Sequence, residues 1–296
     1  MSCALVLQYL LSGITSGGIY AIVAIGFNII YNTTGIINFA QGEFVMLGAM
    51  TAISFSAWMP LPAAIAAAVI ITSLVGALVD MVFIRWLKRP TVLHMIIITI
   101  GISILLKEAA LHIWDEKVRS LPYFTGNECS SIAFFGAHMS PQVLWVLGTC
   151  ALVVLLLTLF FKYTLLGRSM RACSANRTAS VLCGINVKNM VTFSFMLSAG
   201  IGALAGCVIS PLTQTQYECG TPLAIKGFTV AILGGLGNSA AAVTAGLLLG
   251  IIEALSISLL PVAFKDVVAI GILLVILFFK PSGLFGNKEA GRLKEF

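Results

Sequence analysis

The stretch KYTLLGRSMRACSANRTASVLCGINVKN, residues 162–189, is a polar island between two long apolar runs, Pro141–Phe161 and Met190–Leu212. It holds five of the seventeen Lys and Arg residues of the chain (Lys162, Arg168, Arg171, Arg177, Lys188) and no Asp or Glu. Apolar runs of about 20 residues read as membrane-spanning helices. A basic loop between two of them faces the cytoplasm, because Lys and Arg beside a span resist translocation. The island therefore orients the chain. It also presents the cytosol with a larger folded surface than a plain helix connection needs.

Outward from it, the 296 residues are 59% hydrophobic and 9% charged, with a mean hydropathy of +1.05. Soluble globular domains carry about 25% charged residues, so the composition excludes one. Unbroken apolar runs argue for helices rather than a barrel, whose strands alternate. The net charge of +6 reads as orientation rather than nucleic-acid binding, since the basic residues flank spans.

The expected fold is an all-α polytopic membrane protein. Spans are predicted near 5–30, 38–58, 61–83, 91–113, 141–161, 190–212, 241–261 and 264–280. The apolar stretch 226–238 is too short to cross a core of about 30 Å at about 1.5 Å per residue, and reads as a short or broken helix. This path places the N-terminus outside and the C-terminus inside. Twelve of the seventeen basic residues then fall in the inside segments 85–90, 162–189 and 280–296, the expected bias. The others are Lys107, Lys117, Arg119, Lys226 and Lys265. No Lys or Arg precedes Arg85, so Leu5–Ile30 is expected as a retained first span rather than a signal peptide. The whole chain, 1–296, reads as one transmembrane domain with a long external loop at 114–140, which is either a partner surface or a solvated connector.

Seven scattered Cys form no metal-binding spacing. Cys129 and Cys219 fall in external loops, where a disulfide and two free thiols are both open. No GxxxxGK[ST], HExxH or GxSxG occurs, so nucleotide binding through a phosphate loop and hydrolytic catalysis lack a motif. No enzyme activity, cofactor or metal is expected of this chain.

Two Gly-rich interruptions break the apolar sequence: Gly35-Ile36-Ile37-Asn38-Phe39-Ala40-Gln41-Gly42-Glu43 and Gly234-Gly235-Leu236-Gly237-Asn238. A broken helix exposes backbone groups that lipid forbids unless protein or a wet cavity receives them. Similar breaks in two halves of a chain point to a translocation path built from inverted repeats. The other reading is close helix packing on glycine. Glu43 and Glu253 are the acids set deepest in predicted spans, where carboxylates face a pathway or a partner. Lys226 and Lys265 read as snorkelling boundary charges, and Asp80 and Arg85 as charges flanking a helix end. Candidate pathway residues are Asn38, Gln41, Glu43, Gly235, Asn238 and Glu253.

Within the island a helix is predicted from Ser169 to Leu182, with Asn176 capping a second turn and Gly184 as its stop. Its apolar residues Met170, Cys173, Val181 and Leu182 form no single stripe, so a membrane-surface helix fits less well than docking into a groove on a protein partner. A merely solvated loop is the alternative.

With these residues in view, the chain resembles the LivH-type permeases of bacterial ATP-binding-cassette importers for branched-chain amino acids, from about Gln8 to Gly286. Gly35–Glu43 is similar to that family's GxxNFAxGE segment. Arg171–Asn176, Ala179-Ser180 and Leu182–Asn186 are similar to its cytoplasmic coupling segment. Ala231–Asn238, Gly250–Leu255, Lys265–Val267 and Pro281–Gly286 also fit, in the same order. The resemblance implies that the chain lines a path in the inner membrane. It further implies partners: two cytoplasmic ATPase subunits on the coupling segment, a second related permease, and a periplasmic substrate-binding protein. The expected ATPase contacts are Arg168, Arg171, Ala172, Asn176, Arg177, Gly184 and Asn186. Arg177 stands where the family often has an acid or proline, which makes the island wholly basic and its groove on the ATPase acidic. Relatives of this type also serve amides and urea, so the solute is an expectation. The residues alone leave open a self-sufficient channel or an ion-coupled transporter using Glu43 or Glu253.

Overall fold

The computed structural model describes residues 3–87, 92–127, 130–134, 137–258, 261, 264–280 and 283–285. Among these, eleven α-helices make up nearly all the regular structure: α1 (Cys3–Thr34), α2 (Gln41–Ser56), α3 (Leu61–Val79), α4 (Val92–Trp114), α5 (Gln142–Tyr163), α6 (Leu165–Ala175), α7 (Arg177–Leu182), α8 (Val187–Thr213), α9 (Gly220–Gly234), α10 (Ser239–Ser256) and α11 (Lys265–Phe279). A π-helical turn, Asp80–Ile84, continues α3. A small antiparallel hairpin, β1 (Ile132–Phe134) with β2 (Ala137–Met139), pairs Ile132 with Met139 and Phe134 with Ala137.

Six of these helices are long and apolar enough to cross a membrane: α1, α3 with its π turn, α4, α5, α8 and α10. The all-α polytopic fold is as expected, while the described residues supply six such helices for the eight full spans expected. The predicted span 38–58 forms only the 16 residues of α2. Asn38 Oδ1 accepts the Ala40 N–H at 3.1 Å, and this local turn competes with helix, so α2 starts at Gln41. The predicted span 264–280 yields the 15 residues of α11. The short element near 226–238 is instead α9, which begins at Gly220 and stops at Gly234.

α1 and α8 are the most deeply buried of the long helices, and α4 and α5 are peripheral. Leu152, Leu155 and Leu156 on α5 are more than half exposed, as a lipid-facing surface requires. Small residues set the contacts at the centre. Gly13 and Gly17 of α1 face Gly246 and Gly250 of α10, each pair spaced four apart. A Cβ on Gly13 or Gly17 would lie 2.7 Å from the backbone of Ile251 or Leu247. Such GxxxG seams let backbones touch where lipid removes the hydrophobic drive between helices. Gly48 of α2 against Ala203 of α8, and Gly76 of α3 against Ala199, repeat the device.

The bundle has two distinct ends. At one, Gln8 of α1 pairs with the hairpin in both directions, donating to His138 O at 2.8 Å and accepting from His138 N at 2.9 Å. Here too Arg119 and Thr215 bridge the two loops that follow α4 and α8. The other end carries α6 and α7.

Candidate functional site

α2 and α9 are both too short to cross, and they meet in the interior. A Cβ on Gly42 would strike Gly220 and Ala224 of α9, so glycine is what allows the contact. Gln41 opens α2 beside Ser198, near the middle of α8. It is fully buried, and its Nε2 donates to Ser198 O at 3.2 Å. Ser198 Oγ lies 2.6 Å from Gln41 Oε1 and 2.7 Å from Gly26 O. Gln41 thus ties α1, α2 and α8 together with its amide satisfied.

Glu43 sits two residues further on, 1% exposed. Its Oε1 accepts from Ser103 Oγ of α4 at 3.0 Å and Thr221 Oγ1 of α9 at 3.2 Å. Its Oε2 has no partner among the described residues, and neither has Asn38 Nδ2. Three elements therefore deliver polar groups to one interior point: α2, α4 and α9. One turn along α4, Lys107 Nζ donates to Glu218 Oε1 at 2.8 Å in the loop before α9. That hydrogen bond and the ammonium charge hold the Glu218 carboxyl below the usual range.

Gly235 and Asn238 lie at the opposite end of α9, away from Glu43. Gly235 and Gly237 take φ of 98° and 96°, which a side chain disfavours. Asn238 caps α10, accepting from Ala241 N at 3.1 Å. Two asparagines of α1 hold the turn: Asn32 Nδ2 donates to Gly237 O at 2.8 Å, and Asn28 Oδ1 accepts from Gly237 N at 3.0 Å. Glu253 is in a third place. Its Oε1 is 2.5 Å from Lys226 Nζ and 3.4 Å from Lys265 Nζ. Lys226 also contacts Asp266 at 2.8 Å and Tyr20 Oη at 3.2 Å. So Lys226 and Lys265 are partners of a buried acid rather than boundary charges. Sequence reasoning named the acid but not its cations. It also passed over Ser103 and Thr221, which single-sequence spacing cannot connect to Glu43. Asp80 is buried at 1% and accepts from Thr192 Oγ1 at 2.5 Å, so it is more than a flanking charge. Its place inside an apolar run was the available signal.

The island forms two helices rather than one. Thr164 caps α6, Asn176 caps α7 and Asn186 caps α8, each accepting a backbone N–H three residues on, at 3.0, 2.9 and 3.3 Å. Gly184, with φ of 80°, stops α7 as expected. The Arg171 guanidinium donates to Phe161 O at 2.7 Å, and Arg168 Nε lies 3.4 Å from Thr164 O. Both tie α6 to the end of α5. Met170 and Cys173 are buried beneath α6, while Leu182 is 84% exposed. Arg177, Leu182, Gly184 and Asn186 line an open groove on α7. Burial pushes the Cys173 thiol up. Cys219 lies just before α9 with a free thiol, and Cys129 lies outside the described residues.

Long apolar helices, two interior half-helices meeting on glycine, and a capped helical pair at one end define a multi-pass membrane permease. The chain belongs to the family described as branched-chain amino acid transport system permease component, which matches residues 9–277. It is 35% identical to the high-affinity branched-chain amino acid transport system permease protein BraD of Pseudomonas aeruginosa, over 97% of this chain and 98% of that one. It is 31% identical to the corresponding permease protein LivH of Escherichia coli K12, over 97% of each, and equally to LivH of Salmonella typhimurium.

Proposed function

We propose that this chain is the inner-membrane permease subunit of an ATP-binding-cassette importer for branched-chain amino acids. In this reading two separate cytoplasmic subunits hydrolyse ATP, a second related permease completes the pore, and a periplasmic binding protein delivers the solute. The observation that carries it is the meeting of α2 and α9 around Glu43. Discontinuous helices at membrane depth serve a path, because their free backbone ends need protein or water. The α6–α7 pair supports the coupling role. It is rigidly capped, wholly basic and carries an exposed Leu182, a surface suited to an acidic groove with an apolar floor. Its positive charge sets that end in the cytosol, with the N-terminus outside. ATP drives transport only if nucleotide-bound ATPases favour one facing state of the permease over the other, and α6–α7 is the element placed to transmit that bias.

The test is copurification through a tag on this chain, with Arg177→Glu and Leu182→Glu compared to wild type. Both variants are expected to insert normally, lose the ATPase subunit and lose ATP-driven uptake. Retention of the ATPase with unchanged uptake in both, or uptake by this chain alone without ATP, overturns the proposal.

A further inference from the structure

Between α9 and α11 lies a cavity of about 260 Å³, lined by Thr221, Ile225, Lys226, Thr229, Asp266 and Ile270 among others. It adjoins the interior junction, since Thr221 also donates to Glu43. Its two charges are of opposite sign and touch at 2.8 Å. Lys226 lies 2.5 Å and Lys265 3.4 Å from Glu253 Oε1. Two lysines share one buried carboxylate here, so Asp266 supplies the second negative charge. The two acids also differ in exposure: the Glu253 side chain is 1% exposed and Asp266 72%. The buried acid fixes Lys226 in place, and the open acid offers a carboxylate at the cavity mouth. The rest of the wall is mostly apolar, from Pro222, Ile225, Ala269 and Ile270, with Thr221 and Thr229 beside them.

We propose that this cavity is a subsite for a zwitterionic α-amino acid with an aliphatic side chain. The proposal rests on the permease reading above. The substrate carboxylate takes the Asp266 position on Lys226 Nζ, the substrate ammonium pairs with Asp266, and Ile225, Ala269 and Ile270 receive the side chain. Charge balance favours a zwitterion over a simple ion. Lys226, Lys265, Glu253 and Asp266 sum to zero, and a ligand with one charge of each sign leaves that sum unchanged while exchanging one ion pair for two. A singly charged ligand leaves an uncompensated charge in a low-dielectric site, which is costly. The cavity lies just below the roughly 300–1,000 Å³ of drug-sized pockets, a scale suited to a single small metabolite.

The test uses the intact transporter copurified through this chain, carrying Ile270→Cys, in phosphatidylglycerol vesicles that contain no zwitterionic headgroup. The rate of maleimide labelling at that position is read from its peptide by mass spectrometry. Leucine at about twice its dissociation constant leaves about a third of the sites open, so labelling should slow about threefold. Isovalerate and isoamylamine, which carry one charge each, should protect far less, and Asp266→Asn should abolish the protection by leucine. Equal protection by either single-charge analogue overturns the zwitterion assignment. Slowing only when phosphatidylethanolamine is added assigns the cavity to a lipid headgroup and overturns it as well. ATP-driven leucine uptake with unaltered labelling overturns the subsite and leaves the permease reading standing. No branched-chain uptake by the wild-type transporter overturns the permease reading, and the substrate assigned here with it.

Discussion

Replacing Lys226 by Met isolates the electrostatics of the bundle. Glu253 is 1% exposed; one carboxylate oxygen lies 2.5 Å from Lys226 Nζ, and the other has no partner among the described residues. Removing one partner of a buried ion pair costs roughly 3–5 kcal/mol, because the remaining charge is stranded. Here Lys265 stays within 3.4 Å of Glu253 and recovers part of that. The expected loss is therefore about 2–3 kcal/mol, roughly 30- to 160-fold in the unfolding equilibrium. Lys226→Met combined with Glu253→Gln leaves no fully buried charge, only the more exposed Lys265 and Asp266, so the double variant should recover about half the loss or more, a coupling of about 1.5 kcal/mol. The assay is unfolding of the purified protein in mild detergent by added SDS, followed by tryptophan fluorescence. A double variant as unstable as the sum of the two singles would refute the reasoning, as would an unaltered Lys226→Met.

The α1–α10 seam makes a steric prediction. Gly250→Leu drives a side chain into the backbone of Gly13 and Gly17 and should cost about 1–3 kcal/mol or more, whereas Gly148→Leu, facing open space on α5, should be nearly silent. Equal melting of the two variants in detergent contradicts the seam. A membrane-impermeant maleimide should label exposed Cys183 at least about tenfold faster than buried Cys173, whose thiol is held up by burial, and only from the cytosolic face. Labelling of Cys183 from outside intact cells inverts the orientation. Because Lys107 lowers the Glu218 carboxyl, its contribution to stability is present above the ordinary carboxylate pKa of about 4.3 and is lost as pH falls through the lower folded value. Acid-unfolding curves of wild type and Lys107→Met should accordingly differ near neutrality and converge at the acid end. Parallel curves throughout would show that the pair has no thermodynamic coupling to folding.

What the sequence made legible was whatever depends on local chemistry. Hydropathy placed α1, α3, α4, α5, α8 and α10 within a few residues. Asn176 and Gly184 announced the breaks in the island, because a cap and a left-handed stop are one-residue signals. Glu43 and Glu253 stood out because an acid in an apolar run is conspicuous. What escaped depends on partners far along the chain. Nothing in the local hydropathy of 38–58 separates a 16-residue half-helix from a span, since Gln41 finds its role only against α8 and, through Ser198, α1. Lys226 looked like a boundary charge because its acid is 27 residues away. Asp80, which opens the π turn, likewise finds its partner Thr192 on another helix.

One arrangement bears on motion. Where α9 joins α10, the chain is sutured to α1 by Asn28 and Asn32 and to the C-terminal segment by the Leu284 N–H on Leu233 O, at 2.8 Å. At its start α9 meets Gly42 through glycine, with Thr221 donating to Glu43 there. A rod pinned at one extremity swings at the other, so any tilting of α9 sweeps widest beside Glu43. The pivot of such a tilt is then a pair of asparagines, Asn28 and Asn32, on another helix.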